Sequence, residues 1–254
     1  CITTIHGLDH QRAKWGRFAR AYILLGERCA VRFADEIIVL SRSMQQYFRD
    51  VYGRETVFIP NGVTRPERRE PELICQQFGL EKENFILFLG RLVPEKGIHY
   101  LIEAFDRIHT DKKLVIAGGT SDTDVYVRQL QEMAAENPNI LFTGFVQGQV
   151  LDELYSNAYL YVIPSDLEGM PLSLLEAMSY GNCCVVSDIP ECAEVVEDKA
   201  EIFPRGNVEA LAECLQALCD DPEHVSRSKA SAADFICGKY NWDDVASQTL
   251  ELYK

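Results

Sequence analysis

The segment SDLEGMPLSLLEAMSYG, residues 165–181, sets one carboxylate, Glu168, just before a helical run and a second, Glu176, inside it. Carboxylates only accept hydrogen bonds, so two of them facing one ligand suit hydroxyl groups such as those of a sugar or a ribose. Between them, Gly169 permits close backbone approach, and Pro171 suits a first helical turn, where its missing N–H costs nothing. The amides around Met170–Leu172 are then left unpaired by the helix and are free for a ligand's oxygens. The bland alternative is a Glu168 that complements the helix dipole and a Glu176 that is a solvated helix acid.

A second segment, GRLVPEKG over residues 90–97, lies between an apolar run and a helical one. Gly90 lets the backbone turn, Arg91 and Lys96 supply two cations, and Gly97 opens a helix whose free N–H groups favour an anion. Together they make a diphosphate cradle, although GxxxxGK[ST] is absent. Its alternative is a solvated loop whose cations pair with surface acids. A third segment, TGFV over 143–146, offers backbone amides at Phe145 and Val146 to a planar base edge, or is an ordinary turn.

These loops act together only if the elements between them bring them to one place. Apolar, β-rich runs recur as FILFLG (85–90), KLVIAGG (113–119), ILFTG (140–144), YLYVIP (159–164) and CCVVS (183–187), separated by helical periods such as 98–108 and 125–136. Continuous apolar strands alternating with helices predict a parallel sheet covered on both faces, a doubly wound α/β domain over about 63–238. Ligands of such sheets bind beyond the carboxyl ends of the strands, where all three segments fall. Residues 1–58 read as a buried strand CITTIHG, a long helix at about 10–33, a strand at 36–40, a helix at about 42–51 and a strand at 56–59, the back part of another α/β lobe. The turn signals of IPNGV (59–63) mark the joint. The expected organisation is a partial N-terminal lobe at 1–58, a nucleotide-binding lobe at 59–238 and a C-terminal helix at 239–254 packing back toward the first. A chain opening in mid-strand is expected to have lost elements upstream.

Twenty-five Lys and Arg against thirty-nine Asp and Glu give a net charge of −14. A nucleic-acid partner is not expected, because counterion release needs an extended cationic surface. Nine scattered Cys with no CxxC pair read as reduced thiols, and the five His show no metal-ligand spacing with them. No signal peptide and no bilayer-spanning apolar run is visible, so a cytoplasmic protein is expected. Within residues 10–32, Arg12, Lys14, Arg17, Arg20, Arg28 and Arg32 oppose only Glu27. Such a cationic amphipathic helix suits an acidic membrane surface, at the inner face of a membrane, or a lipid-linked acceptor; a solvated face is the alternative.

The combination GRxxxxKG, TGxV, Glu-x7-Glu within EGMPLSLLEAMSYG, and VVSDIPECAEVV resembles the retaining nucleotide-sugar glycosyltransferases of GT-B fold, family 4, over residues 59–254. The resemblance implies two Rossmann-like lobes with the active site in the cleft between them. It implies that Arg91 and Lys96 hold the donor diphosphate without a metal or other cofactor, and that Glu176 binds the ribose hydroxyls. Glu168 would contact the donor sugar, the amides of Gly169–Leu172 sugar and phosphate, and TGFV the base. TIHGLDHQRAKWGR (4–17) resembles the His-Gly segment of bacterial polysaccharide-building members, including rhamnosyltransferase-like ones. That would bring His6 to the donor sugar or its phosphate, with a structural histidine as the alternative.

The implied reaction moves a sugar from a nucleotide-diphosphate sugar to a glycan or lipid-linked acceptor, the acceptor hydroxyl attacking from the leaving group's face. A full N-terminal lobe would carry its own glycine-rich loop, which is absent here, so the chain is expected to bind donor but to transfer sugar poorly or not at all. A non-catalytic nucleotide-sugar binding module and a sugar-nucleotide epimerase of the same shape are the other readings. A two-carboxylate glycosidase would leave the paired cations unexplained.

Overall fold

The apolar runs assemble into two parallel sheets in this computed structural model, which describes residues 1–11, 15–119 and 124–254. The N-terminal sheet has the order β1-β2-β3, formed by β1 (Ile2–Ile5), β2 (Glu36–Val39) and β3 (Val57–Phe58). The larger sheet contains β4 (Phe85–Leu89), β5 (Lys113–Ala117), β6 (Ile140–Gly144), β7 (Leu160–Ile163), β8 (Cys183–Ser187) and β9 (Glu201–Phe203). Its spatial order is β6-β5-β4-β7-β8-β9, so the chain winds outward from β4 in one direction and from β7 in the other. The strand order reverses between those two adjacent strands, which pair through Ile86 with Leu160 and Leu87 with Tyr161. A reversal of this kind opens a crevice beyond the carboxyl ends of the two strands.

Alternate residues of each strand enter different layers, as the pleat requires. Phe85, Leu87, Val115, Ala117, Tyr161 and Val186 pack against α3 (Leu73–Phe78), α6 (Gln149–Asn157), α7 (Leu172–Ser179), α8 (Pro190–Val196) and α10 (Pro222–Lys239). Ile86, Phe88, Leu114, Ile116, Val162 and Val185 face α4 (Ile98–Phe105), α5 (Asp124–Ala134) and α9 (Val208–Asp220). Covering both faces explains why the strands read as unbroken apolar runs. The first layer continues into the N-terminal half through Ile37, Val39, Met44 and Phe48, the last two from α2 (Arg42–Tyr52). Polar bonds fix that junction: the Ser43 hydroxyl donates to Glu191 Oε1 at 2.5 Å, and the Arg42 amide to Glu194 Oε2 at 2.9 Å. Residues 62 and 63 meet the start of α11 (Trp242–Glu251), where the Val63 amide donates to the Tyr240 carbonyl at 2.7 Å.

Two expectations for the N-terminal part need correction. The first strand is half-buried rather than buried, because it lies at the edge of its sheet. The helix expected from about residue 10 begins at Arg17, as α1 (Arg17–Phe33), after a 3-10 turn at Asp9–Gln11; Gly16 before it is extended, which stops the helix from reaching further back. Arg12 and Lys14 lie outside the described residues. Glu27, the lone acid of this helix, is buried and takes hydrogen bonds from Tyr47 and Tyr52 at 2.8 and 2.6 Å instead of facing water. All nine cysteines are free thiols, and burial pushes those of Cys184 and Cys192 well above the ordinary value, keeping them unreactive. Among the described residues no helix is long and apolar enough to cross a membrane.

Candidate functional site

GRLVPEKG follows β4 and SDLEGMP follows β7, so both loops leave the sheet at the crevice. The β4 loop closes into a 3-10 turn at Pro94–Lys96, then passes through Gly97 into α4. Gly97 has φ +66°, and a Cβ there would overlap the Pro164 carbonyl oxygen and stand 2.9 Å from its carbon. Only glycine meets both demands, and in doing so it locks one loop against the other. The Glu95 carbonyl accepts the Asp166 amide at 2.8 Å, a second tie between the loops. The chain bends at Gly90 as it leaves β4. There φ is not positive, and the unusual backbone belongs to Gly118 at φ +154°, where a Cβ would overlap the Gly90 carbonyl oxygen.

The two loops carry their charges to one small cavity of about 30 Å³, bordered by Arg91, Glu95, Lys96, Glu168, Gly7 and Leu8. Lys96 Nζ donates to Glu168 Oε1 at 2.6 Å, with side-chain exposures of 15 and 7 %. The same oxygen accepts the Ser165 hydroxyl at 2.7 Å, and Ser165 is held in turn by Ser187, whose hydroxyl donates to the Ser165 carbonyl at 2.6 Å. Arg91 is exposed and has no carboxylate partner among the described residues, which leaves its guanidinium available to an anion.

Glu176 stands in the first turns of α7 and borders a second, larger cavity of about 360 Å³ with Leu151, Tyr155, Leu172, Tyr180 and Trp242. The four charged residues therefore do not share one pocket: three meet at the first cavity and the fourth at its neighbour. The corner from Gly169 to Leu172 walls both. Tyr155 donates to Glu176 at 3.0 Å, and Tyr161, beside it, donates to the Leu89 carbonyl at 3.1 Å, at the root of the Arg91 loop. Burial, with the nearby carboxylates adding to it, holds both phenols protonated as donors. The Glu176 carboxyl reaches solvent, yet packing around it raises its pKa, an effect partly offset by the Tyr155 hydrogen bond.

The corner is close-packed against the N-terminal half. A Cβ on Gly169 would overlap the His6 carbonyl oxygen, so the close approach anticipated there is made by the protein's own backbone rather than reserved for a ligand. The His6 side chain is exposed, and its neighbours Gly7 and Leu8 border the cavity instead. Met170 is buried, with its sulfur accepting the Asn61 amide at 3.1 Å; Pro171 caps α7 with no N–H to give. Phe145 and Val146 follow β6, the edge strand, and border neither cavity; Phe145 is 73 % exposed.

Sequence reading passed over Ser165, Glu95 and Tyr155. Glu95 was legible as an acid set between two cations, whereas nothing in the helix of Tyr155 signals that it reaches Glu176. Chemically, the arrangement offers cations and acceptor-only carboxylates side by side, a match for a ligand bearing both anionic oxygens and hydroxyls.

Comparison with known proteins identifies the family of the chain and its fold relatives. The profile of the glycosyl transferases group 1 family matches residues 72–235, and that of glycosyltransferase family 4 matches residues 1–65. An uncharacterized glycosyltransferase of Methanocaldococcus jannaschii is 34% identical, over 68% of this chain and 45% of its own length. O-antigen chain mannosyltransferase B of Escherichia coli is 30% identical, over 71% of this chain and 48% of its own. The chain spans about half the length of these two relatives. Among solved structures, Anabaena HepE in complex with UDP and glucose shares the fold with a TM-score of 0.88 at 20% identity, covering 99% of this chain and 71% of that one. Sucrose-phosphate synthase from Thermosynechococcus elongatus does so with a TM-score of 0.85 at 24% identity, covering 99% and 66%.

Proposed function

The chain belongs to the glycosyl transferases group 1 family, and from that premise we propose that it binds a nucleotide-diphosphate sugar at the β4–β7 crevice, as the donor half of a retaining sugar transfer to a glycan or lipid-linked acceptor. The observation that carries this reading is the convergence of Arg91, Lys96 and Glu168, from two distant loops, on one cavity at the reversal of strand order. Arg91 and Lys96 hold the diphosphate, Glu168 a hydroxyl of the sugar, and Glu176 the ribose. HepE, of the same fold, was crystallised with UDP and glucose, which supports a donor of this class.

Charge development explains what such residues contribute. As the glycosidic C–O bond breaks, negative charge builds on the diphosphate oxygens, and two fixed cations stabilise that state more than the ground state. In this reading they provide the stabilisation without a metal. Lys96 is paired with Glu168, so donor binding exchanges one ion pair for two new contacts: ammonium to phosphate, carboxylate to sugar hydroxyl.

The same proposal assigns α1 to the acceptor side, in a cytoplasmic protein peripheral at the inner face of a membrane. Phe18, Tyr22, Leu25 and Phe33 are exposed at 87, 71, 56 and 71 %, one stripe along the helix, beside the exposed Arg17, Arg28 and Arg32. An apolar stripe flanked by arginines fits a lipid interface or the lipid of a lipid-linked acceptor. Calorimetric titration with UDP, GDP, ADP and dTDP, and with their sugars, tests the donor reading. At least one must bind, and Arg91→Ala must weaken it; absence of binding by all of them refutes the proposal.

A further inference from the structure

We propose that Ser165 is a positioning residue that frees Lys96 for the ligand's phosphate, by keeping a hydrogen bond on Glu168 when the ammonium leaves it; this inference rests on the donor reading of the crevice given above. Glu168 Oε1 takes two donors, the Lys96 ammonium at 2.6 Å and the Ser165 hydroxyl at 2.7 Å. Among the described residues no other group donates to this carboxylate, whose side chain is only 7 % exposed.

The two donors differ in what holds them. The Lys96 ammonium ends a flexible four-carbon stem, so it can swing to another partner. Ser165 is fully buried and fixed from two directions. Its carbonyl accepts the hydroxyl of Ser187, itself fully buried at the end of β8, at 2.6 Å. The next amide, that of Asp166, donates to the Glu95 carbonyl at 2.8 Å in the opposite loop. With a single side-chain torsion to its Oγ, the hydroxyl stays where these ties set it.

Charge makes the second donor necessary. Arg91 and Lys96 border the same cavity as Glu168, and in the donor reading Lys96 turns from carboxylate to phosphate. A buried carboxylate stripped of every donor is strongly destabilising. Without Ser165 the ammonium must either strand Glu168 or stay with it and forgo the phosphate. Either course weakens the binding of a nucleoside diphosphate. A nucleotide sugar suffers less, because its hydroxyl brings Glu168 a donor of its own. Ser165, being fully buried, touches no ligand and acts on the diphosphate through Glu168 and Lys96.

The test titrates UDP, GDP, ADP and dTDP, each beside its glucose and mannose conjugates, into wild type, Ser165→Ala, Glu168→Gln and the double variant. Ser165→Ala should lose about tenfold or more in affinity for the preferred diphosphate and less than about threefold for its sugar conjugate. In the Glu168→Gln background no charge is left to strand, so Ser165→Ala should change diphosphate affinity by less than about twofold. A loosened loop would instead weaken both ligands alike, in either background. Where no conjugate binds, the diphosphate cycle alone decides. Should Ser165→Ala unfold, Ser165→Cys, of similar size with a much weaker donor, carries the same cycle. A smaller loss for the diphosphate, equal losses for diphosphate and conjugate, or a loss undiminished by Glu168→Gln overturns the assignment while leaving the donor site standing. Failure of wild type to bind any nucleotide of the panel overturns both.

Discussion

Gly169→Ala adds one methyl group where the β7 loop meets the N-terminal half, and its cost follows from the packing. The new Cβ would overlap the His6 carbonyl oxygen, stand 3.0 Å from the carbonyl carbon and 3.2 Å from the Gly7 Cα. All three obstacles are backbone, so no side chain can swing aside. Gly169 is not in the left-handed region, which confines the whole effect to this clash. One loop must retreat by about an ångström, and overpacking of this kind costs about 1–3 kcal/mol. For a domain of this size, each kcal/mol lowers Tm by about 2–4 °C, giving a fall of about 2–12 °C in thermal unfolding. Either retreat also disturbs the cavity: lifting Gly7–Leu8 removes a wall, and drawing back the β7 loop pulls Glu168 away from Lys96. Donor affinity should therefore fall together with Tm. A variant that melts within about 1 °C of wild type and binds donor equally would refute the claim that this contact shapes the site.

Glu176→Gln probes the raised carboxyl. Because the folded pKa lies above the ordinary 4.5, the folded state holds this proton longer than the unfolded one, so wild type loses stability as pH rises through the interval above 4.5. The variant should lack that loss and melt slightly higher at neutral pH, with the advantage gone below 4.5; an identical pH profile refutes the burial argument. Hydroxyls bind the ionised form, so nucleotide affinity of wild type should climb across the same interval and that of Glu176→Gln should stay flat, as read by calorimetry. Phe18→Ser combined with Tyr22→Ser should reduce sedimentation with vesicles of phosphatidylglycerol and phosphatidylcholine by about tenfold or more, since each side chain contributes about 1.5–3 kcal/mol of apolar burial. Equal sedimentation of variant and wild type removes α1 from the membrane.

Much of the larger lobe was legible because period and burial coincide. FILFLG, KLVIAGG and CCVVS are apolar on both faces in the sequence and buried on both faces in the fold. The loops were legible too, since a parallel sheet puts Arg91, Lys96 and Glu168 at the same edge whatever the details of pairing. The grouping of Glu176 was not: spacing along a helix sets its height, and only the packing of Tyr155 and Leu172 shows that it opens onto a neighbouring cavity. Glycine roles were half legible. Gly97 was marked as the opening of a helix and Gly90 as a turn, but the need for glycine at Gly118 was not visible, because strain depends on which backbone crosses nearby rather than on the residue itself. The start of α1 was misjudged for a similar reason, as charge pattern ran through residue 10 while the extended Gly16 halted the helix.

A crystal structure of the chain soaked with the nucleoside diphosphate that binds it best would test the central claim most directly. The account predicts phosphate oxygens within hydrogen-bonding reach of Arg91 and Lys96, the Lys96–Glu168 pair opened, and the ribose hydroxyls on Glu176. A nucleotide seated elsewhere, with Lys96 still closed on Glu168, would contradict it.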